Sequence, residues 1–190
     1  MQDLVEIRWH GRGGQGAVTA AKIFAEAALA EGKYIQAFPE YGPERMGAPV
    51  KAFDRLSDKQ IRLHSQVYHP SIVIVIDPTL IGSVNVTEGL AEDGVVIVNS
   101  PKPPRDIKKD LGLNSQKVYT VDAAKISLET LGKFIPNTPM LGALVKSSGL
   151  VSLEKILEEV KKMFGGKLKE EIIQSNLDAI KRAYEEVRGE

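Results

Sequence analysis

Six residues near the start of the chain, Gly11-Arg12-Gly13-Gly14-Gln15-Gly16, carry the clearest chemical signal. Their G-x-G-x-x-G spacing follows an apolar stretch (Leu4, Val5, Ile7, Trp9) and precedes an Ala-rich one from Ala17 to Ala30. Strand, glycine turn and helix together form the context in which this spacing has mechanical meaning. Gly11 is expected to make the tight turn, Gly13 to let a ligand approach the backbone, and Gly16 to let the helix lie close to the strand. The N–H groups and positive dipole end of the helix then favour a phosphate or another anion. Arg12 can add a guanidinium to that anion and Gln15 an amide. The spacing alone also fits a tight turn with no ligand. A nicotinamide dinucleotide usually requires an acid at the tip of the next strand, whereas the tip here reads Ala37-Phe38-Pro39.

Other chemistry is sparse. The three histidines, His10, His64 and His69, have no metal-ligand spacing, and the chain has no cysteine. It therefore has no thiolate nucleophile, no disulfide and no cysteine-held iron–sulfur cluster. His10 abuts the glycine turn and reads either as a ligand contact or as a strand-end histidine with a backbone partner. Asp77, Asn99 and Asp122 end apolar runs, where they cap turns or meet a ligand. There is no serine elbow, H-E-x-x-H or P-loop. No catalytic residue and no metal site is assigned.

The elements that would position the turn follow from the apolar pattern. Strands are expected at Tyr34–Phe38, Val50–Asp54, Ile61–Val67, Ile72–Ile76, Val95–Val98 and Val118–Val121. The β-branched runs at 72–76 and 95–98 are apolar on both faces, as in a sheet covered on both sides. Leu80–Glu92 reads as a weak crossover helix, and Pro101–Pro104, with Lys102 and Arg105, as a surface loop. From about residue 123 the chain reads as helical: a helix begins at Asn137-Thr138-Pro139 with Asn137 or Thr138 as cap. Ser152 caps another, and an amphipathic helix runs from Leu168 to about Val187. The predicted fold is α/β, three-layer α/β/α, with a mixed, mostly parallel sheet and a helical C-terminal segment, all in a single domain over 1–190.

The 190 residues carry 25 basic and 25 acidic side chains, so net charge points to neither nucleic acid nor an anionic membrane as partner. Met1-Gln2-Asp3-Leu4 lacks the pattern of a signal peptide, and no apolar run approaches bilayer length. A cytoplasmic location is expected.

Three motifs in order, GRGGQG at 11–16, YGPERMGAP at 41–49 and NTPMLGAL at 137–144, resemble those of the gamma subunits of 2-oxoacid:ferredoxin oxidoreductases. The resemblance covers nearly the whole chain. The ERMGAP form looks more like the pyruvate and branched-chain enzymes than the 2-oxoglutarate type. It implies a hetero-oligomer in which a 2-oxoacid loses CO2, ferredoxin takes two electrons and coenzyme A takes the acyl group. Thiamine diphosphate, Mg2+ and [4Fe-4S] clusters would sit on alpha, beta and delta-type partners, in keeping with the missing cysteines. Matched to those motifs, Gly11, Arg12, Gly13, Gly14, Gln15 and Gly16, with Arg45, are candidates to meet an anionic part of coenzyme A. Tyr41, Gly42, Pro43, Glu44, Met46 and Gly47 form a loop expected to face the partner subunits. The alternatives at this stage are packing of both loops on neighbouring subunits, and a stand-alone Rossmann-like nucleotide-binding protein.

Overall fold

Side chains alternate across a strand, so the uninterrupted β-branched run at 72–76 must bury both faces. In the computed structural model, which describes residues 4–40 and 47–190, it does. Ile72, Ile74 and Ile76 face one core and Val73 and Val75 the other. The strands are β1 (Val5–Arg12), β2 (Tyr34–Glu40), β3 (Pro49–Ser57), β4 (Ile72–Val75), β5 (Val95–Asn99), β6 (Lys117–Val121) and β7 (Arg188–Gly189). They form one sheet in the order β2-β3-β1-β4-β5-β6-β7. The inner run β1-β4-β5-β6 is parallel, whereas β3 is antiparallel to both β1 and β2, and β7 is antiparallel to β6.

The two layers on the sheet are unequal. The larger core joins Ile7, Trp9, Ile74 and Ile97 to α1 (Ala17–Ala30), α3 (Ala123–Leu131), α4 (Asn137–Ser148), α5 (Leu153–Phe164) and α6 (Glu170–Glu186). The smaller one packs Val73, Val75, Val96, Val98 and Val118 under Leu80, Val86 and Ile107 of α2 (Pro104–Asp110). The three-layer α/β plan with a mixed sheet is therefore what forms, with four helices from Ala123 to Glu186 before the closing β7.

Several expectations change in detail. Residues 61–67 form no strand: the carbonyls of Leu63 and Gln66 accept from the side chains of Gln36 and Arg55 rather than from a neighbouring backbone. No α-helix spans Leu80–Glu92. A 3-10 turn covers Pro78–Leu80, and irregular turns follow, with Gly82 and Gly89 at positive φ. The segment after Pro101 was expected to remain a loop, but a helix begins at Pro104, with proline in the first turn where no N–H is missed. Asn137 and Thr138 lie inside α4 rather than capping it, and Pro136 holds the cap position. Ser152 does cap α5, accepting from Lys155 N–H. The short β7, absent from the expectations, seals the β6 edge through reciprocal backbone bonds between Val118 and Glu190.

Candidate functional site

In an open α/β sheet, ligands collect beyond the carboxyl ends of the strands where the winding reverses. Here the chain leaves β1 to build β2 and β3 on one side, then returns to lay β4 on the other. The crevice between the ends of β1 and β4 holds the glycine turn and the segment after Ile76.

Each member of the turn has its own role. Gly11 lies within β1, paired with Val50, so it extends the strand rather than making the turn. Gly13 N–H donates to Ala48 O at 2.9 Å, and Gly47 N–H donates to Gly13 O at 3.1 Å. The turn is thus stitched to the returning chain, and the Gly13 amide is already spent. The left-handed positions are Gly14 and Gly16, at φ +92° and +76°. Gly16 is the N-cap of α1, which has no capping side chain and no acid in its first turn. Its close neighbour is not the strand, as expected, but Asn137: a Cβ on Gly16 would fall 2.5 Å from Asn137 Nδ2.

Arg12 and Gln15 are tied inward. Gln15 Oε1 accepts Arg12 N–H at 2.8 Å, and Gln15 Nε2 donates to Asp77 Oδ2 at 2.7 Å. Arg12 Nε lies 3.2 Å from the same carboxylate oxygen, Arg12 Nη2 donates to Thr79 Oγ1 at 2.9 Å and Arg12 Nη1 to Gly47 O at 3.2 Å. Burial alone would raise the Asp77 carboxyl. Bonds from the Thr79 hydroxyl, Gln15 and the Thr79 amide, together with the Arg12 charge, outweigh it and hold the group below the usual carboxylate range. Asp77, expected to cap a turn or meet a ligand, caps the Thr79 turn and also links the glycine turn to the crevice. The residues Asp77-Pro78-Thr79 after a β-branched run mark a turn, but nothing in their spacing names Gln15 as partner.

Helix α4 starts beside the turn. Asn137 Nδ2 donates to Gly16 O at 3.3 Å, and Oδ1 of this buried side chain has no partner among the described residues. Like α1, α4 has neither a capping side chain nor an acid in its first turn. The starts of two helices, each the positive end of its dipole, are therefore in contact through Asn137 and Gly16. First-turn N–H groups, which Pro139 lacks, have no partner within their own helix.

The remaining candidates lie elsewhere. Tyr41, Gly42, Pro43, Glu44, Arg45 and Met46 are outside the described residues. Gly47 is described, and its bonds to Gly13 and Arg12 place the end of that loop against the turn. His10 is buried on the opposite face of the sheet from Trp9, where Nε2 accepts from Arg8 Nε at 3.0 Å. Burial, then the charges of Arg8 and Lys51, push its pKa down to about 3, so it stays neutral. Asn99 braces the neighbouring strand ends by donating to Ile76 O and accepting Ala124 N–H, and Asp122 caps α3. Among the described residues, no group of three His, Asp or Glu side chains could hold a metal ion.

Residues 6–186 match the family model described as pyruvate ferredoxin/flavodoxin oxidoreductase. The chain belongs to this family. It is 52% identical over 183 residues to pyruvate synthase subunit PorC of Thermotoga maritima, covering 96% of this chain and 94% of that one. A Pyrococcus abyssi relative, the common gamma subunit of pyruvate/ketoisovalerate oxidoreductases, is 50% identical, with 97% and 98% covered. The crystal structure of the Thermotoga maritima pyruvate oxidoreductase subunit superposes with a TM-score of 0.88 at 47% identity, over 99% of both chains. A 2-oxoglutarate:ferredoxin oxidoreductase from Magnetococcus marinus shares the fold, with a TM-score of 0.80 at 18% identity over 96% of this chain and 31% of that one. Family membership removes the stand-alone nucleotide-binding protein from consideration. The sheet agrees: antiparallel β3 stands between β1 and β2, so the strand whose tip would hold a ribose in a dinucleotide fold is not beside the turn.

Proposed function

We propose that this chain is the gamma subunit of a cytoplasmic pyruvate:ferredoxin oxidoreductase and that its glycine turn holds an anionic part of coenzyme A. The enzyme converts pyruvate, coenzyme A and two oxidised ferredoxins into acetyl-CoA, CO2, a proton and two reduced ferredoxins, reversibly. Half identity over nearly the full length of named gamma subunits supports the first part. The observation that carries the second is the meeting of two uncapped, acid-free helix starts at Gly16 and Asn137. Such a place favours a phosphate, through backbone N–H groups and aligned dipoles.

Among the described residues no group of three His, Asp or Glu side chains could hold Mg2+, and the chain has no cysteine to hold a [4Fe-4S] cluster. In this reading thiamine diphosphate, Mg2+ and the clusters belong to the alpha, beta and delta-type subunits. When bound, coenzyme A supplies the thiol that accepts the acyl group. The first-turn amides of α1 and α4 would hold its pyrophosphate or 3′-phosphate, and Arg12 would add positive charge from the rim. The loop at 41–47 would face the partner subunits and Arg45 the same anion. No helix among the described residues is long and apolar enough to cross a membrane.

Native mass analysis of the purified complex tests the assembly, and 2-oxoacid-dependent dye reduction, with pyruvate and ketoisovalerate compared, tests the reaction. Arg12→Ala in the reconstituted complex should raise the coenzyme A requirement while assembly is retained. Loss of assembly would instead assign the turn to packing.

A further inference from the structure

The geometry points to Asp77 as the positioning residue of the glycine turn: its carboxylate fixes the Gln15 and Arg12 side chains and thereby sets the turn's backbone toward the ligand. This rests on the reading that the turn holds coenzyme A.

The carboxylate works at two ends. Oδ1 accepts Thr79 N–H at 2.9 Å and the Thr79 hydroxyl at 2.6 Å, which is ordinary turn capping. Oδ2 points the other way, taking Gln15 Nε2 at 2.7 Å with Arg12 Nε at 3.2 Å. Gln15 passes the constraint on, because its Oε1 receives the Arg12 backbone N–H at 2.8 Å. A relay therefore runs from the segment just after β4, through two side chains, to the backbone of Arg12, the last residue of β1 before the turn. Charge-assisted bonds are the strong members of their class, and a pre-set turn loses less freedom when a ligand arrives.

Amide chemistry separates this role from capping. In Asp77→Asn, Oδ1 can still accept from Thr79, but Nδ2 then faces Gln15 Nε2, donor against donor. Flipping either amide only moves the mismatch to Thr79 N–H or Arg12 N–H. Gln15→Glu alone sets two carboxylates against each other. The double variant Asp77→Asn with Gln15→Glu restores the relay to the Arg12 backbone, since a carboxylate at 15 accepts from both Arg12 N–H and the new amide, and net charge is conserved. Arg12 Nε loses its carboxylate contact but keeps Thr79 Oγ1 as acceptor at 3.2 Å.

The test is steady-state turnover of the reconstituted complex, with KM for coenzyme A and for pyruvate measured in parallel. Each single variant should raise the coenzyme A KM by roughly tenfold, with a smaller change in the pyruvate KM, and the double variant should recover most of that loss. Should a single variant fail to assemble, recovery of assembly and of coenzyme A KM in the double variant is the expected result. A double variant no better than the worse single overturns the assignment. So does an unchanged coenzyme A KM in Asp77→Asn where Arg12→Ala raises it, which leaves the coenzyme A reading intact. An unchanged coenzyme A KM in Arg12→Ala and Gly16→Ala as well overturns that reading itself.

Discussion

Asn137 fills the space where a side chain at Gly16 would begin, and it donates to the Gly16 carbonyl across 121 residues of sequence. Glycine is needed at Gly16 for two reasons: the backbone sits at φ +76°, and a Cβ would stand 2.5 Å from Asn137 Nδ2. Gly14 has only the first reason, since at φ +92° a Cβ there meets nothing within 4 Å. Gly14→Ala should therefore cost about 1–2 kcal/mol of strain, and Gly16→Ala clearly more. Adding Asn137→Ala should return part of the excess. Urea midpoints of the isolated chain decide this, and equal losses at 14 and 16 would refute the contact as the cause.

That contact shows where sequence reading reaches its limit. The glycine spacing, the flanking strand and helix and the β-branched strands are local patterns, so they were legible. Which glycine needs positive φ was not, because Gly11 and Gly16 differ only in what the rest of the fold brings beside them. The inward ties of Arg12 and Gln15 were hidden for the same reason: Asp77 and Thr79 lie more than 60 residues away. At 61–67 the alternation suited a strand, but side chains of Gln36 and Arg55 take the carbonyls of Leu63 and Gln66 that a ladder would use.

Gly142, in the third motif, answers to packing rather than to ligand. A Cβ there would lie 2.1 Å from Ile180 O and 2.9 Å from Tyr184 N, so α4 and α6 touch backbone to backbone. Backbone cannot rotate aside as a side chain can. Gly142→Ala should cost about 3 kcal/mol or more, with amide exchange in α6 rising first. Unchanged protection of Ile180 to Ala183 would show that the helices part freely.

Helix α5 receives its cap from a distant segment. Ser152, the N-cap, holds Lys155 N–H, but the residue that completes a capping box by accepting the Ser152 N–H is Glu31, just past α1, at 2.9 Å. Glu31 also accepts the Ser152 hydroxyl at 2.5 Å. With Asn137 at its start and Ser152 at its end, α1 is held at both termini by the helical half of the chain. Glu31→Ala should lower stability by about 1 kcal/mol. Lys155→Glu, which supplies the missing local partner, should recover part of it. Thermal melts of the four-member cycle test this, and simple additivity would count against shared capping.

Two buried titratable groups give opposite pH dependences. Burial raises the Asp54 carboxyl well above its ordinary value, only partly opposed by the Trp9 Nε1–H bond at 2.7 Å, and Oδ1 has no partner among the described residues. The native state therefore keeps a proton that the unfolded chain has lost, so stability falls as pH rises from the ordinary carboxylate range toward the raised pKa. His10 acts in the other sense. With its native pKa near 3 against 6.5 unfolded, stability falls as pH drops through that window. Asp54→Asn keeps an acceptor for Trp9 and removes the charge, so its urea midpoint should decline less than the wild type's as pH rises from the ordinary carboxylate range toward the raised pKa. His10→Gln, which keeps an acceptor for Arg8, should flatten the acid side instead. The single tryptophan reports both transitions by fluorescence, since Trp9 is wholly buried in the native fold. A decline with rising pH as steep in Asp54→Asn as in the wild type would place its source in another group.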